Sequence, residues 1–119
     1  MPKIMRVSAI TLRVSSMVKS LSFYRDVLHL QLVYGSEESS FSSFDLNGTY
    51  LNIELSDDIN KKWGRIIFHC DDVDAMHDYL KSVGYDASKP RNGTWGERFF
   101  HIEDPDGHEI SIAQRLDTN

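Results

Sequence analysis

Two stretches of this chain read alike: Ala9-Ile10-Thr11-Leu12-Arg13-Val14-Ser15-Ser16-Met17-Val18-Lys19-Ser20-Leu21 and Arg65-Ile66-Ile67-Phe68-His69-Cys70-Asp71-Asp72-Val73-Asp74-Ala75-Met76. In the first, Ile10, Leu12 and Val14 alternate with Ala9, Thr11 and Arg13, the period of a strand with one covered face. That strand is expected over residues 5–15. Ser15 or Ser16 then caps a helix over 17–28, whose apolar stripe is Met17, Leu21, Tyr24 and Leu28. In the second stretch a strand over 65–70 leads to Asp71 or Asp72 as cap. A helix follows over 73–83 with its stripe at Val73, Met76, Leu80 and Val83, and Gly84 stops it.

The segments between and beyond complete the repeat. Strands are expected over 30–37, 41–46 and 49–55. The last two are joined by Asn47-Gly48, a pair that tolerates the positive φ of a tight hairpin. Residues 56–64 are polar and charged and read as a linker. After the second helix come a short strand over 85–88, a loop over 89–94, and strands over 97–103 and 108–115. Asp104-Pro105-Asp106-Gly107 makes the turn between the last two, with Pro presetting φ and Gly taking the left-handed position. The chain is thus β-α-β-β-β twice, in about 55–60 residues each, a duplication inside one α+β domain spanning 1–119. Module one is 5–55 and module two is 65–115, with mostly antiparallel sheets and one helix behind each.

Bulk properties bound the function. A chain of 119 residues with 40% hydrophobic and 26% charged residues suits one globular domain. A net charge of −5 argues against a nucleic-acid partner, because phosphates want a basic surface. No run of 18 apolar residues and no leader pattern is visible, so no membrane partner is expected and the cytoplasm is the expected location. One cysteine, Cys70, excludes an intrachain disulfide, and its apolar neighbours suit packing as a small hydrophobe.

Alternation assigns the sheet faces. Ile10, Leu12, Val14, Leu51, Ile53, Leu55, Ile66, Phe68, Cys70, Phe100, Ile102, Ile110 and Ile112 belong under the helices. The opposite face carries Arg13, Tyr50, Asn52, Glu54, Arg65, His69, Phe99, His101 and Ser111, a mixture of aromatics, carboxylates, His and Arg with little aliphatic bulk. Such a face is either solvated or the lining of a ligand cavity. His29, His77 and His108 fall on a helix end, a helix surface and a turn, and take no role.

Three segments carry a family resemblance. They are Leu12-Arg13-Val14 with Ser20-Leu21-Ser22-Phe23-Tyr24, then Asn52-Ile53-Glu54-Leu55, then Trp95-Gly96-Glu97-Arg98-Phe99 followed by Asp104-Pro105-Asp106-Gly107-His108-Glu109-Ile110. In order and spacing they resemble the vicinal-oxygen-chelate superfamily of glyoxalases, bleomycin-resistance proteins and extradiol dioxygenases. The resemblance covers nearly the whole chain. It implies two βαβββ modules curled into a cupped sheet, helices outside, and a homodimer that shares its cavities.

The resemblance also implies a metal site, with ligands of the pattern His, Glu, His or Gln, and Glu. Carried over position by position, these fall on Ala9, Glu54, Arg65 and Ser111. Ala cannot ligate and Arg is a fixed cation, so no cofactor is expected. The implied function is therefore that of a metal-free, bleomycin-resistance-like protein that binds a small aromatic or cationic molecule rather than converting it. In this reading Trp95 and Phe99 supply flat walls, Glu54 meets a cation, Arg13 or Arg65 holds an anionic group, and Tyr50, Asn52, His69, His101 and Ser111 complete the lining. A metal-dependent lyase or dioxygenase, with Zn, Ni, Mn or Fe on rearranged ligands, is the first alternative. An interaction domain without small-molecule activity is the second.

Overall fold

Helix and strand signals fall where the local chemistry demands. Ser16 caps the first helix, its hydroxyl accepting from the Lys19 amide at 3.2 Å. Asp72 caps the second in the same way, accepting from the Ala75 amide at 3.1 Å. Asn47 at φ 54° and Gly48 at φ 95° form the hairpin turn their side chains permit. The computed structural model describes residues 1–116, which divide into two compact units, one over Met1–Asn60 and one from Lys61 onward.

Unit one runs β1 (Ala9–Val14), α1 (Met17–Leu21), a π-helical segment (Ser22–Val27), β2 (Gln31–Tyr34), β3 (Phe41–Leu46) and β4 (Thr49–Leu55). Unit two runs β5 (Arg65–His69), α2 (Val73–Ser82), β6 (Arg91–Asn92), β7 (Glu97–Glu103) and β8 (Glu109–Arg115). Each holds a four-stranded sheet, in the orders β1-β4-β3-β2 and β5-β8-β7-β6. In each the first strand pairs parallel to the last, and the remaining pairs are antiparallel. A parallel pair needs a long crossover, and the helix with the intervening strands provides it. The α+β duplication expected from the repeat is therefore present down to strand order.

In each unit the helix packs on its own sheet, α1 against β4 and α2 against β7 and β8. Leu12, Val14, Leu51, Ile53, Ile66, Phe100, Ile102, Ile110 and Ile112 are buried, as alternation requires. Leu55, at the end of its strand, is 45% exposed, and Ile10, Phe68 and Cys70 are only half-buried. Among the described residues, no helix is long and apolar enough to cross a membrane.

Three expectations need correction. The first strand starts at Ala9, not at residue 5, because its ladder with β4 begins at the Ala9–Tyr50 pair. The first helix does not stay α-helical to residue 28. Its second half widens, with the Leu28 amide bonding the Phe23 carbonyl at 2.9 Å. That wider turn lets the adjacent rings of Phe23 and Tyr24 both reach the core, edge to face at 4.9 Å. His29 then ends the segment in the left-handed conformation, φ 60°. Residues 85–88 form no strand. The edge strand lies instead at Arg91–Asn92, inside the expected loop, because Pro90 has no amide to donate to a ladder. Ser88 keeps one link to β7, its amide meeting the His101 carbonyl at 3.0 Å.

Candidate functional site on the second sheet

The predicted site residues divide between the two units. In unit one, Arg13, Tyr50, Asn52 and Glu54 lie on the sheet face opposite the core residues. Asn52 is committed to the sheet itself. Its amide donates to the Thr11 hydroxyl at 3.2 Å, and its oxygen accepts from the Ser43 hydroxyl at 2.7 Å. This bridge across three strands pins the register of β1, β4 and β3. Arg13 reaches Asp58 at 3.6 Å, both side chains largely in solvent. Tyr50 and Glu54 are exposed.

Unit two gathers the rest. The parallel register of β5 with β8 aligns Arg65 with Glu109, Ile67 with Ser111 and His69 with Ala113. The antiparallel register of β7 with β8 adds His101 opposite Ser111 and Phe99 opposite Ala113. Arg91 on β6 pairs with Phe99. The central strand thus presents two small, buried residues, Ser111 and Ala113, flanked by large ones on both sides. Small side chains between tall ones leave a groove, of about 320 Å³, lined by Arg65, Ile67, Arg91, Trp95, Glu97, Phe99, His101, Ser111 and Ala113. This volume lies at the small end of the range for ligand pockets, roughly 300–1,000 Å³.

Polar pairs organise the groove. His101 Nδ1 lies 2.8 Å from the Ser111 hydroxyl. Burial, with Arg65 and Arg91 adding repulsion, holds the His101 pKa below the ordinary histidine value. Glu97 accepts from the Trp95 indole at 2.9 Å through one oxygen and meets His69 Nε2 at 2.6 Å through the other. The indole hydrogen bond, followed by His69, keeps the Glu97 carboxyl below the usual carboxylate range. The aromatic rings form a run: Trp95 to Phe99 at 5.0 Å, and Phe99 to His101 at 5.2 Å. The Arg91 guanidinium lies over the Phe99 ring at 5.1 Å.

A second hollow, of about 670 Å³, shares Arg65 and His101 with the groove and is otherwise lined by Tyr85, Asp86, Ile102, Glu103, Asp104, Pro105 and Glu109. Its rim is acidic. Arg65 meets Glu109 there at 3.8 Å, with both side chains about half exposed.

The structure therefore brings together Arg65, His69, Trp95, Phe99, His101 and Ser111 on one sheet face. Arg13, Tyr50, Asn52 and Glu54 belong to the face of the other unit. Four groove residues lie outside the predicted site set: Ile67, Ala113, Arg91 and Glu97. Ile67 and Ala113 share the face by alternation alone, and Arg91 falls in the expected loop with nothing to mark it. Glu97 lay in a quoted motif, but its link to His69 depends on strand register. The small pair Ser111 and Ala113 within an Ile-rich strand was the available hint of a groove.

The donor set does not fit the divalent metal that the fold implies. Ala9 has no lone pair to offer, Arg65 brings a positive charge, and Ser111 is engaged with His101. Among the described residues, no three His, Cys, Asp or Glu side chains form a group able to hold a metal ion. His108, given no role from sequence, proves structural. It is buried, and its Nδ1 accepts from the Trp63 indole at 3.1 Å.

Comparison with known proteins agrees with this architecture. Residues 6–112 match the family model described as the Glyoxalase/Bleomycin resistance protein/Dioxygenase superfamily. The chain is 28% identical over 116 residues to the metallothiol transferase FosB of Shouchella clausii, covering 89% of this chain and 77% of that protein. Solved structures with the same fold include the genomically encoded fosfomycin resistance protein FosX of Listeria monocytogenes, at a TM-score of 0.79 and 22% identity over 94% of both chains. Another is lactoylglutathione lyase of Agrobacterium tumefaciens, at a TM-score of 0.78 and 18% identity over 95% of both chains. With two β-α-β-β-β units and a family match over nearly its whole length, this chain belongs to the glyoxalase/bleomycin resistance protein/dioxygenase superfamily.

Proposed function

We propose that this protein binds a small molecule in the groove on its second sheet, without a metal, and holds the molecule rather than converting it. The observation that carries this reading is Arg65. A guanidinium stands where the resemblance puts a metal-ligating His, and it lines the same groove as Ser111, which stands in place of a carboxylate. A permanent positive charge repels a divalent ion but can take over its electrostatic task toward a ligand. The aromatic run of Trp95 and Phe99 supports a ligand with a flat apolar part. Pairing as a homodimer, which the family resemblance implies, and a cytoplasmic location belong to the same proposal.

The test is metal analysis of tag-free protein combined with ligand calorimetry in chelator. The expected result is sub-stoichiometric metal and binding indifferent to EDTA. A stoichiometric, firmly held ion would overturn the reading.

A second reading is favoured by the 28% identity to a metallothiol transferase. It makes the chain a metal-dependent enzyme acting on a compound such as fosfomycin. Incubating the protein with fosfomycin, a thiol and Mn²⁺ separates the two readings. Consumption of the thiol would establish the enzyme, and unchanged substrates are expected from the binding protein.

A further inference from the structure

We propose that the ligand of this groove is a planar aromatic anion, its carboxylate or related oxyanion held between Arg65 and Arg91 and its ring laid against the exposed face of Trp95, which the buried Phe99 backs. The inference rests on the binding role proposed above and adds the chemical class, with a charge opposite to the cationic ligand that the sequence suggested.

The sign of the charge comes from counting what each side chain already holds. Two guanidiniums line the groove. Among the described residues, none offers Arg91 a carboxylate. Its contact is the Phe99 face, which leaves the guanidinium edge open to an acceptor. Arg65 has Glu109 at 3.8 Å, beyond hydrogen-bond length and half exposed, a pair of little strength. The one carboxylate in the groove lining is Glu97, and both of its oxygens are engaged, by Trp95 and by His69. The local field therefore favours an anion. A carboxylate also matches the planar fork of an arginine.

Shape supplies the remainder. Trp95 is 62% exposed although its indole is oriented by Glu97 and backed by Phe99. An oriented, uncovered ring is a stacking surface. The floor of Ser111 and Ala113 gives depth beneath it. The neighbouring larger hollow carries Asp86, Glu103 and Glu109, so an anion is repelled there and directed to the Arg91 side.

The test is a titration of the whole chain in EDTA, followed by NMR at the Trp95 indole N–H and the His101 ring. The probes are 1-naphthoate, its neutral counterpart 1-naphthamide, and the cation 1-naphthylmethylamine. Naphthoate is expected to bind saturably and about tenfold or more tighter than naphthamide, the difference a charge-assisted contact makes. Arg65→Gln and Arg91→Gln should each remove most of that difference while leaving naphthamide binding unchanged. Should either variant fold poorly, salt titration of the natural chain carries the same test, since naphthoate binding alone should weaken with ionic strength. Equal or tighter binding of the amide or the amine overturns the anion assignment while leaving the groove as a binding site. Failure of all three probes to move Trp95 and His101 overturns the binding role itself.

Discussion

Gly93 shows how a single residue sets the site. A Cβ built there would meet ring atoms of Trp95 at 2.5–2.7 Å. Gly93→Ala must therefore displace the indole, breaking its bond to Glu97. The expected outcome is a shifted Trp95 indole resonance and weaker binding of aromatic probes, with little change in melting temperature. His101 offers a test by pH. Its folded pKa lies below the unfolded value of 6.5, so the unfolded chain takes up the proton first. The stability linked to neutral His101 is complete above about pH 6.5 and is lost as pH falls from there through the lower folded value. Thermal melts at pH 7.5 and 5.5 should show a larger loss for the natural chain than for His101→Gln. Cys70 is half-buried, and burial, with Asp71 and Asp72 adding, pushes its thiol up. Iodoacetamide should modify it more slowly at pH 8 than it modifies a small free thiol.

At the scale of elements, turns and caps align the groove. Asp104 is 5% exposed, and one of its oxygens accepts from the amides of Asp106 at 3.0 Å and His108 at 2.8 Å. This turn joins β7 to β8 and so sets the register that puts His101 opposite Ser111. Asp104→Ala leaves a buried amide without its acceptor and should cost about 1–3 kcal/mol in urea unfolding. Asp104→Asn, which keeps an acceptor, should cost less. The cap at Asp72 is a separate matter. Asp72→Ala should lower stability by about 1 kcal/mol without altering the groove, because α2 packs on the opposite face of its sheet. Equal effects of Asp72→Ala and Asp104→Ala on aromatic-probe binding would show that the turn has no special part in aligning the site.

At the scale of the molecule, the chain repeats one β-α-β-β-β unit, and the proposed reading gives that scaffold an altered donor set. The family resemblance implies that Ala9, Arg65 and Ser111 occupy positions where metal-using members have ligands, and substitution tests that reading. Ala9→His, Arg65→His and Ser111→Glu combined should raise affinity for Ni²⁺ or Mn²⁺, measured by calorimetry on the folded variant. Unchanged affinity would count against the correspondence. The same substitutions remove Arg65, so naphthoate binding should fall as metal binding rises.

The order of elements and the core were legible in the residues because they follow from local rules. Alternation of Ile, Leu and Val gave the buried faces, Ser16 and Asp72 marked helix starts, and Asn47-Gly48 marked a hairpin. The widening at Phe23 and Tyr24 was not legible, because only packing decides whether two adjacent rings can both enter a core. Nor was the make-up of the groove. Arg91 joins Phe99, and Glu97 joins His69, through strand pairings between residues distant along the chain. Face alternation names candidates on a strand, but the pairing of strands determines which of them share a site, and that pairing exists only once the sheet has formed.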